Sequence, residues 1–445
     1  MRIENFKTET RNDWARVAAT VTWEDCNRPT REVFFETTGA AAQDLTCNPD
    51  AFLLATIVHA MHHGEKRLFI DAEVCPQLRN GALIALRWMR HWRRHDWYRA
   101  NSPLIEIEAK LRSHPLTPQT PPRAGFLFSG GIDSLATLRA NHLSFPPDHP
   151  GYIRDGIFIH GFNFGRYEDA EQVEAFKDLE ARLQAFSQQI GLNLISVRTN
   201  LRHLDNDNPI WAHELQGAAL SAVAHTLARR LTDVSIGSTY EISIMQPKGS
   251  HPLLDPNYSS FNLRMHHSGL EYSRLEKTKL VADWDTALHQ LRVCDKTNAL
   301  QTKLETEMQN CCECEKCVRT MTTLVALGKL EQASTFRVKD VTRNLLSSVK
   351  PDIKDSYRAS CYTDLIAPLA AQGRNDLANE LDRIVARFHF KNKLKKLYVQ
   401  YASADLQKFV ETCRSAFKRK DSHERLRSGH DRQVKSLRPL KRPSS

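Results

Sequence analysis

The chain has 445 residues, a formal charge of +10 and 41% apolar residues, enough length for two or three domains of about 150 residues and enough apolar content for a large core. No apolar run reaches the roughly 18 residues a membrane span needs, and Met1-Arg2-Ile3-Glu4-Asn5-Phe6-Lys7 lacks a signal-peptide core, so the expectation is a soluble cytoplasmic protein with no membrane partner. Residues 418–445 hold ten Lys/Arg against three Asp/Glu; the basic charge therefore describes mainly a solvated, disordered tail and argues only weakly for a nucleic-acid-binding body.

Residues 1–120 read as an α+β module. Arg16–Trp23 and Arg31–Thr37 are rich in β-branched and aromatic residues and flank the turn Asn27-Arg28-Pro29, which predicts a hairpin. Asn48-Pro49-Asp50 opens a helix through Ala51–His62, Lys66–Ala72 reads as a strand, and Gln77–Arg94 as a second helix with Trp88 and Trp92 four apart. Arg87, Arg90, Arg93 and Arg94 on that helix form either a solvated face or a phosphate-binding one. Ten cysteines, scattered apart from one cluster, do not suggest a disulfide framework.

The proline-rich joint Thr117–Pro122 precedes the most informative stretch. Gly125-Phe126-Leu127-Phe128 reads as a buried strand, Ser129-Gly130-Gly131-Ile132-Asp133-Ser134 as a turn at a helix N-terminus, and Leu135–Ala140 as the helix. Two glycines let the backbone approach a ligand, first-turn N–H groups favour an anion, and Ser129 and Ser134 add hydroxyls. Asp133 would repel a phosphate unless a cation such as Mg²⁺ lies between them. The turn lacks the Gly-Lys-Ser/Thr of a Walker loop. Strands at Gly156–Gly161, Asn193–Val197 and Val234–Thr239 alternate with helices at Asp169–Ile190 and Glu214–Arg230. That order predicts an α/β, doubly wound parallel sheet with ligands at the carboxyl ends of its strands, where the loop, Gly165 and Gly237 all fall. Residues 240–285 read as a long irregular segment entering a helix near Glu271, with Arg274 and Lys277 one turn apart, placed either to neutralise a phosphate or carboxylate or as a surface pair.

Cys311, Cys314 and Cys317 follow a Cys-x-x-Cys-x-x-Cys spacing, and Cys294 lies seventeen residues upstream. Four thiolates complete a closed tetrahedral Zn²⁺ site of structural type; buried or redox cysteines and an iron–sulfur cluster are the alternatives. The adjacency of Cys312 to Cys311 should point it elsewhere.

Ser129–Ser134 resembles the PP-loop of the N-type ATP pyrophosphatases, of the adenine nucleotide alpha hydrolase-like fold, which cut ATP between the α and β phosphates and adenylate a substrate oxygen. Together with the cysteine cluster, residues 124–330 resemble the 7-cyano-7-deazaguanine synthase (QueC) family of queuosine biosynthesis and the larger QueC-like proteins of antiphage defence operons. The resemblance implies an ATP-dependent ligase that activates the carboxylate of a 7-deazaguanine-like base and passes it to an amine, either ammonia or the amino terminus of an operon-encoded partner protein. It implies that Ser129, Gly130, Gly131, Asp133 and Ser134 hold ATP and Mg²⁺, with Gly165 and Gly237 beside them, that Asp133, Ser134, Arg274 and Lys277 serve catalysis, and that Cys294, Cys311, Cys314 and Cys317 bind Zn²⁺. Where that family carries Gly-Gln and Arg-Asn, this chain has Asn163-Phe164-Gly165 and Trp211-Ala212-His213-Glu214, so the ATP half is specified and the substrate half left open.

The expected organisation is 1–120 N-terminal module, 121–330 PP-loop domain with zinc knuckle, 331–417 helical region and 418–445 basic tail. Beyond the knuckle, helices are expected at Arg319–Leu330, Thr335–Leu346, Ile353–Gln372, Asp376–Phe388 and Lys391–Tyr401. Competing functions are ATP-dependent tRNA modification, which the basic tail and Arg-rich helix permit, and a nucleotide-binding sensor without turnover.

Overall fold

A computed structural model describes residues 1–93, 104–117, 121–162, 170–205, 208–294, 309–349, 353 and 355–401. Residues 1–382 form one compact unit and 383–445 a second. Of the second, the described part is the distal stretch of helix Asn375–Tyr401. The basic tail, Asn163-Phe164-Gly165 and Arg94 lie outside the described residues.

The first unit is α/β, built on one ten-stranded, mostly parallel sheet. Its strands are β1 (Arg2–Arg11), β2 (Trp14–Thr22), β3 (Arg31–Thr38), β4 (Arg67–Val74), β5 (Glu106–Leu111), β6 (Ala124–Leu127), β7 (Ile153–His160), β8 (Asn193–Thr199), β9 (Asp233–Gly237) and β10 (Arg264–Ser268). Their spatial order is β10-β9-β6-β7-β8-β3-β2-β1-β4-β5. Every neighbouring pair from β10 to β8 is parallel. The chain steps outward from β6 to β7 and β8, then returns to place β9 and β10 on the other side of β6. The order reverses between β6 and β9, and that reversal opens the crevice in which such sheets bind ligands. β6 is buried along its whole length, as expected of a central parallel strand covered on both faces.

The strands of residues 1–120 belong to this same sheet. β2 and β3 make the expected antiparallel pair, and β3 then pairs antiparallel with β8, Phe35 opposite Thr199 and Thr37 opposite Val197. Side chains reinforce the seam. Asn200 Oδ1 accepts from the Phe34 N–H at 2.9 Å, its Nδ2 donates to Glu32 O at 2.7 Å, and Arg198 pairs with Glu36 at 3.0 Å. Below it, fully buried Asp155 takes Arg123 at 2.7 Å and Arg230 at 3.0 Å, and Arg230 also reaches Asp44 at 2.6 Å. One arginine thus ties both stretches of chain through charge-assisted bonds.

Helices α1 (Pro49–His62) and α2 (Pro76–Trp92) form as expected. Asn48 caps α1 by accepting from Asp50 N at 3.1 Å, with Pro49 at the first helical position. Further helices are α3 (Ile132–Ser144), α4 (Ala170–Gln189), α5 (Gln216–Thr226), α6 (Arg274–Ala282), α7 (Glu315–Ala326), α8 (Arg343–Ser348), α9 (Ser356–Thr363), α10 (Ile366–Ala371) and α11 (Asn375–Tyr401). A π-type turn, Trp211–Leu215, leads into α5. Thr335–Leu346 is not one helix: Thr335 Oγ1 donates to Leu291 O at 2.8 Å and ties that stretch to the chain before the knuckle, and helix starts only where Thr342 accepts from Leu345 N at 3.2 Å. Asp376–Phe388 and Lys391–Tyr401 run as one helix.

Candidate functional site

Ser129–Ser134 leaves β6 as a tight turn into α3. Gly130 has φ +73°, the left-handed region that glycine adopts without a Cβ penalty. The two hydroxyls brace the turn: Ser134 Oγ donates to Gly131 O at 3.0 Å, Ser129 Oγ and Ser134 Oγ lie 3.3 Å apart, and Leu135 N donates to Gly131 O at 3.0 Å as α3 begins. A thirteen-residue helix therefore points its N-terminus at the crevice, and its macrodipole favours an anion there. Gly237, at the end of β9, packs under the first turn of α3. A Cβ on it would meet Asp133 O and Thr137 Oγ1, each at 2.9 Å, so its geometry serves close helix–strand packing.

Asp133, Arg274 and Lys277 come together at this turn. Ser273 caps α6 with a capping box, its Oγ accepting from Glu276 N while Glu276 reaches back to Ser273 N. That fixes the start of α6, from which Arg274 Nη1 donates to Asp133 Oδ1 at 2.6 Å. Burial is the largest influence on Arg274 and works against its charge, but the Asp133 carboxylate together with Tyr357 and Cys361 raises the pKa on balance. Lys277 is 2% exposed; its Nζ donates to Ser238 O at 2.8 Å, and burial lowers its pKa. The surface-pair alternative for Arg274 and Lys277 therefore does not hold. Alongside runs a cleft of about 180 Å³ lined by Asp133, Thr137, Asn141, Ser268, Tyr272 and Lys277.

The cysteine cluster is a second centre beside the first. Ligand sulfurs of Cys294, Cys311, Cys314 and Cys317 all lie within 4.8 Å of one another. Cys294 and Cys314 Sγ are 3.9 Å apart, Cys311 and Cys317 Sγ 3.8 Å, close to the roughly 3.8 Å between sulfurs placed tetrahedrally at 2.3 Å from one Zn²⁺. Glu313 N and Cys314 N donate to Cys311 Sγ at 3.5 and 3.3 Å, and Cys314 is the N-cap of α7. Hydrogen bonds with Cys294 and Cys314 drive the Cys317 thiol far up; a divalent cation is what lets such crowded sulfurs ionise. The donor set fits zinc in a closed, structural site. Cys312, at φ +60°, turns away and donates to Asn310 O at 3.5 Å.

The two centres are joined through the chain leading to Cys294. Arg292 N donates to Gly130 O at 3.2 Å. Buried Asn310 fixes this arm: its Oδ1 accepts from Val293 N at 2.9 Å and its Nδ2 donates to Leu291 O at 2.9 Å. Sequence reasoning missed Arg292 and Asn310, and also Arg319 of α7 and Tyr357 of α9, which interact with Arg274; none has a local pattern that marks it. Arg93, grouped with a candidate phosphate face, instead pairs with buried Glu214. Gly165 is outside the described residues.

No protein-family model matches the chain, and neither does any curated protein or solved structure. Among the described residues, no helix is long and apolar enough to cross a membrane.

Proposed function

We propose that the chain is a PP-loop enzyme that uses ATP to adenylate a carboxylate, that of a 7-deazaguanine-like base, releasing pyrophosphate, and then passes the acyl group to an amine. The observation that carries this reading is the Ser129–Ser134 turn at the point where strand order reverses, with Asp133, Arg274 and Lys277 gathered over the α3 N-terminus. The α3 helix dipole suits phosphate oxygens, and preorganised positive charge suits the anionic pentacoordinate phosphorus of adenylyl transfer. A divalent cation at Asp133 would screen its carboxylate from the phosphates. Arg274 pairs with Asp133 at 2.6 Å, which places its guanidinium where it would also meet phosphate oxygens bound at the loop. Buried Lys277 stays fixed by Ser238 O and contributes charge without conformational search. Cys294, Cys311, Cys314 and Cys317 would hold Zn²⁺ in a structural role that braces the Arg292 arm against the loop.

The test is pyrophosphate release from ATP with 7-carboxy-7-deazaguanine, with ammonia, tRNA or candidate operon proteins as acceptors. Release that requires the deazaguanine supports the reading. Release driven by tRNA alone assigns the site to tRNA modification, and none under any condition leaves a nucleotide-binding sensor.

A further inference from the structure

Behind the Asp133–Arg274 pair lies a buried group of side chains that the loop reading does not use. Arg319 from α7 is 4% exposed and Tyr357 from α9 is 7% exposed. The Arg319 guanidinium carbon sits 5.5 Å from the centre of the Tyr357 ring, whose other neighbour is Tyr240 at 4.7 Å, edge to face. Arg274, itself 10% exposed, is electrostatically coupled to both Arg319 and Tyr357 as well as to Asp133. Glu315 pairs with Arg319 and is shared: its Oε1 accepts from Tyr362 OH at 3.3 Å and lies 3.3 Å from Arg319 Nη1, and its Oε2 lies 3.7 Å from Arg358.

Arg319 Nε and Tyr357 OH are buried and make no hydrogen bond, whereas Arg319 Nη1 is ion-paired with Glu315 Oε1. A buried polar group left unmatched is costly, so these two atoms need an account. Both can donate, and the edge-to-face contact with Tyr240 orients the ring that carries the hydroxyl. What answers such donors beside two guanidinium groups is an acceptor-rich anion held by charge-assisted bonds.

We propose that Arg274, Arg319 and Tyr357 form a subsite for an oxyanion, a carboxylate or a phosphate, next to Asp133. Its place beside the adenylating centre makes the carboxylate of the activated substrate, or a phosphate of the nucleotide, its occupant. The identity of the anion rests on the proposed function; its binding does not.

The test uses the full-length, zinc-loaded protein and follows thermal unfolding in sodium benzoate or sodium pyrophosphate against sodium chloride at equal ionic strength, with dissociation constants from the dose dependence. The expected result is stabilisation of the wild type by one oxyanion over chloride, benzoate marking a carboxylate subsite and pyrophosphate a phosphate one, and affinity about tenfold weaker or worse in Tyr357→Phe and Arg319→Lys. Tyr357→Phe keeps the ring on Tyr240 and removes only the hydroxyl, so it reports binding even if the arginine variant folds poorly. Neither anion stabilising the wild type beyond chloride, or Tyr357→Phe binding as tightly as wild type, overturns the proposal. Anion binding that Tyr357→Phe weakens, in a protein that releases no pyrophosphate from ATP, retains the subsite and discards the adenylation reading.

Discussion

Asp133 illustrates how one side chain serves two demands. Its carboxylate holds Arg274 at 2.6 Å, and the proposed chemistry needs the same oxygen beside phosphate. Asp133→Asn keeps the shape and removes the charge, so pyrophosphate release is expected to fall to background, whereas the melting temperature should drop only by the equivalent of about 1–3 kcal/mol as the half-buried pair is lost. Wild-type turnover in the Asp133→Asn variant would remove Asp133 from the mechanism. Gly237 makes a separate prediction. In Gly237→Ala the new methyl would press on Asp133 O and Thr137 Oγ1, costing about 1–3 kcal/mol of overpacking and displacing the loop, so the KM for ATP should rise more than stability alone explains. Steady-state kinetics on the folded variant decides this.

At the scale of elements, the knuckle and the loop behave as one assembly, because the arm that supplies Cys294 also donates Arg292 N–H to Gly130 O. Chelation of zinc is therefore expected to loosen two regions: hydrogen exchange should accelerate in 309–330 and, to a lesser degree, in 129–135, and Cys317→Ser should reproduce both effects. Exchange that changes only at the knuckle would mean that the arm does not transmit. Much of this level is legible in the sequence, since turn glycines, cysteine spacing and apolar runs are local signals; β6, α3, β7, β8 and the four-cysteine cluster all fall where they are expected. The polar strand β1 is not legible, because only one of its faces meets the core and Ile3 is its sole fully buried residue. Neither is β10, whose Arg264-Met265-His266-His267-Ser268 gains strand character from its edge pairing with β9. Arg319 and Tyr357 escape detection for a different reason: their meaning comes from a neighbour, Arg274, distant along the chain.

For the whole molecule, buried histidines set the acid limb of stability. Burial lowers His59 to about 3, and His160 and His251 to about 4, whereas an unfolded histidine takes its proton near 6.5. Between pH 6.5 and 4 these three histidines together bind up to three protons more in the unfolded chain than in the native one, so their contribution to stability falls as pH falls through that window, each fully linked proton costing about 1.4 kcal/mol per pH unit. Urea midpoints at pH 7, 6 and 5 should decline with increasing slope; a flat profile would contradict the burial argument. The β3–β8 seam carries a consequence of another kind. During synthesis β3 leaves the ribosome some 150 residues before its partner, at roughly 5–20 residues per second, and for those seconds its outer edge is an open row of backbone donors and acceptors. Such an edge pairs readily with a stranger. A chain cut near residue 120 would make that exposure permanent on both fragments, and co-expressed halves should be recovered in soluble form only when they find each other.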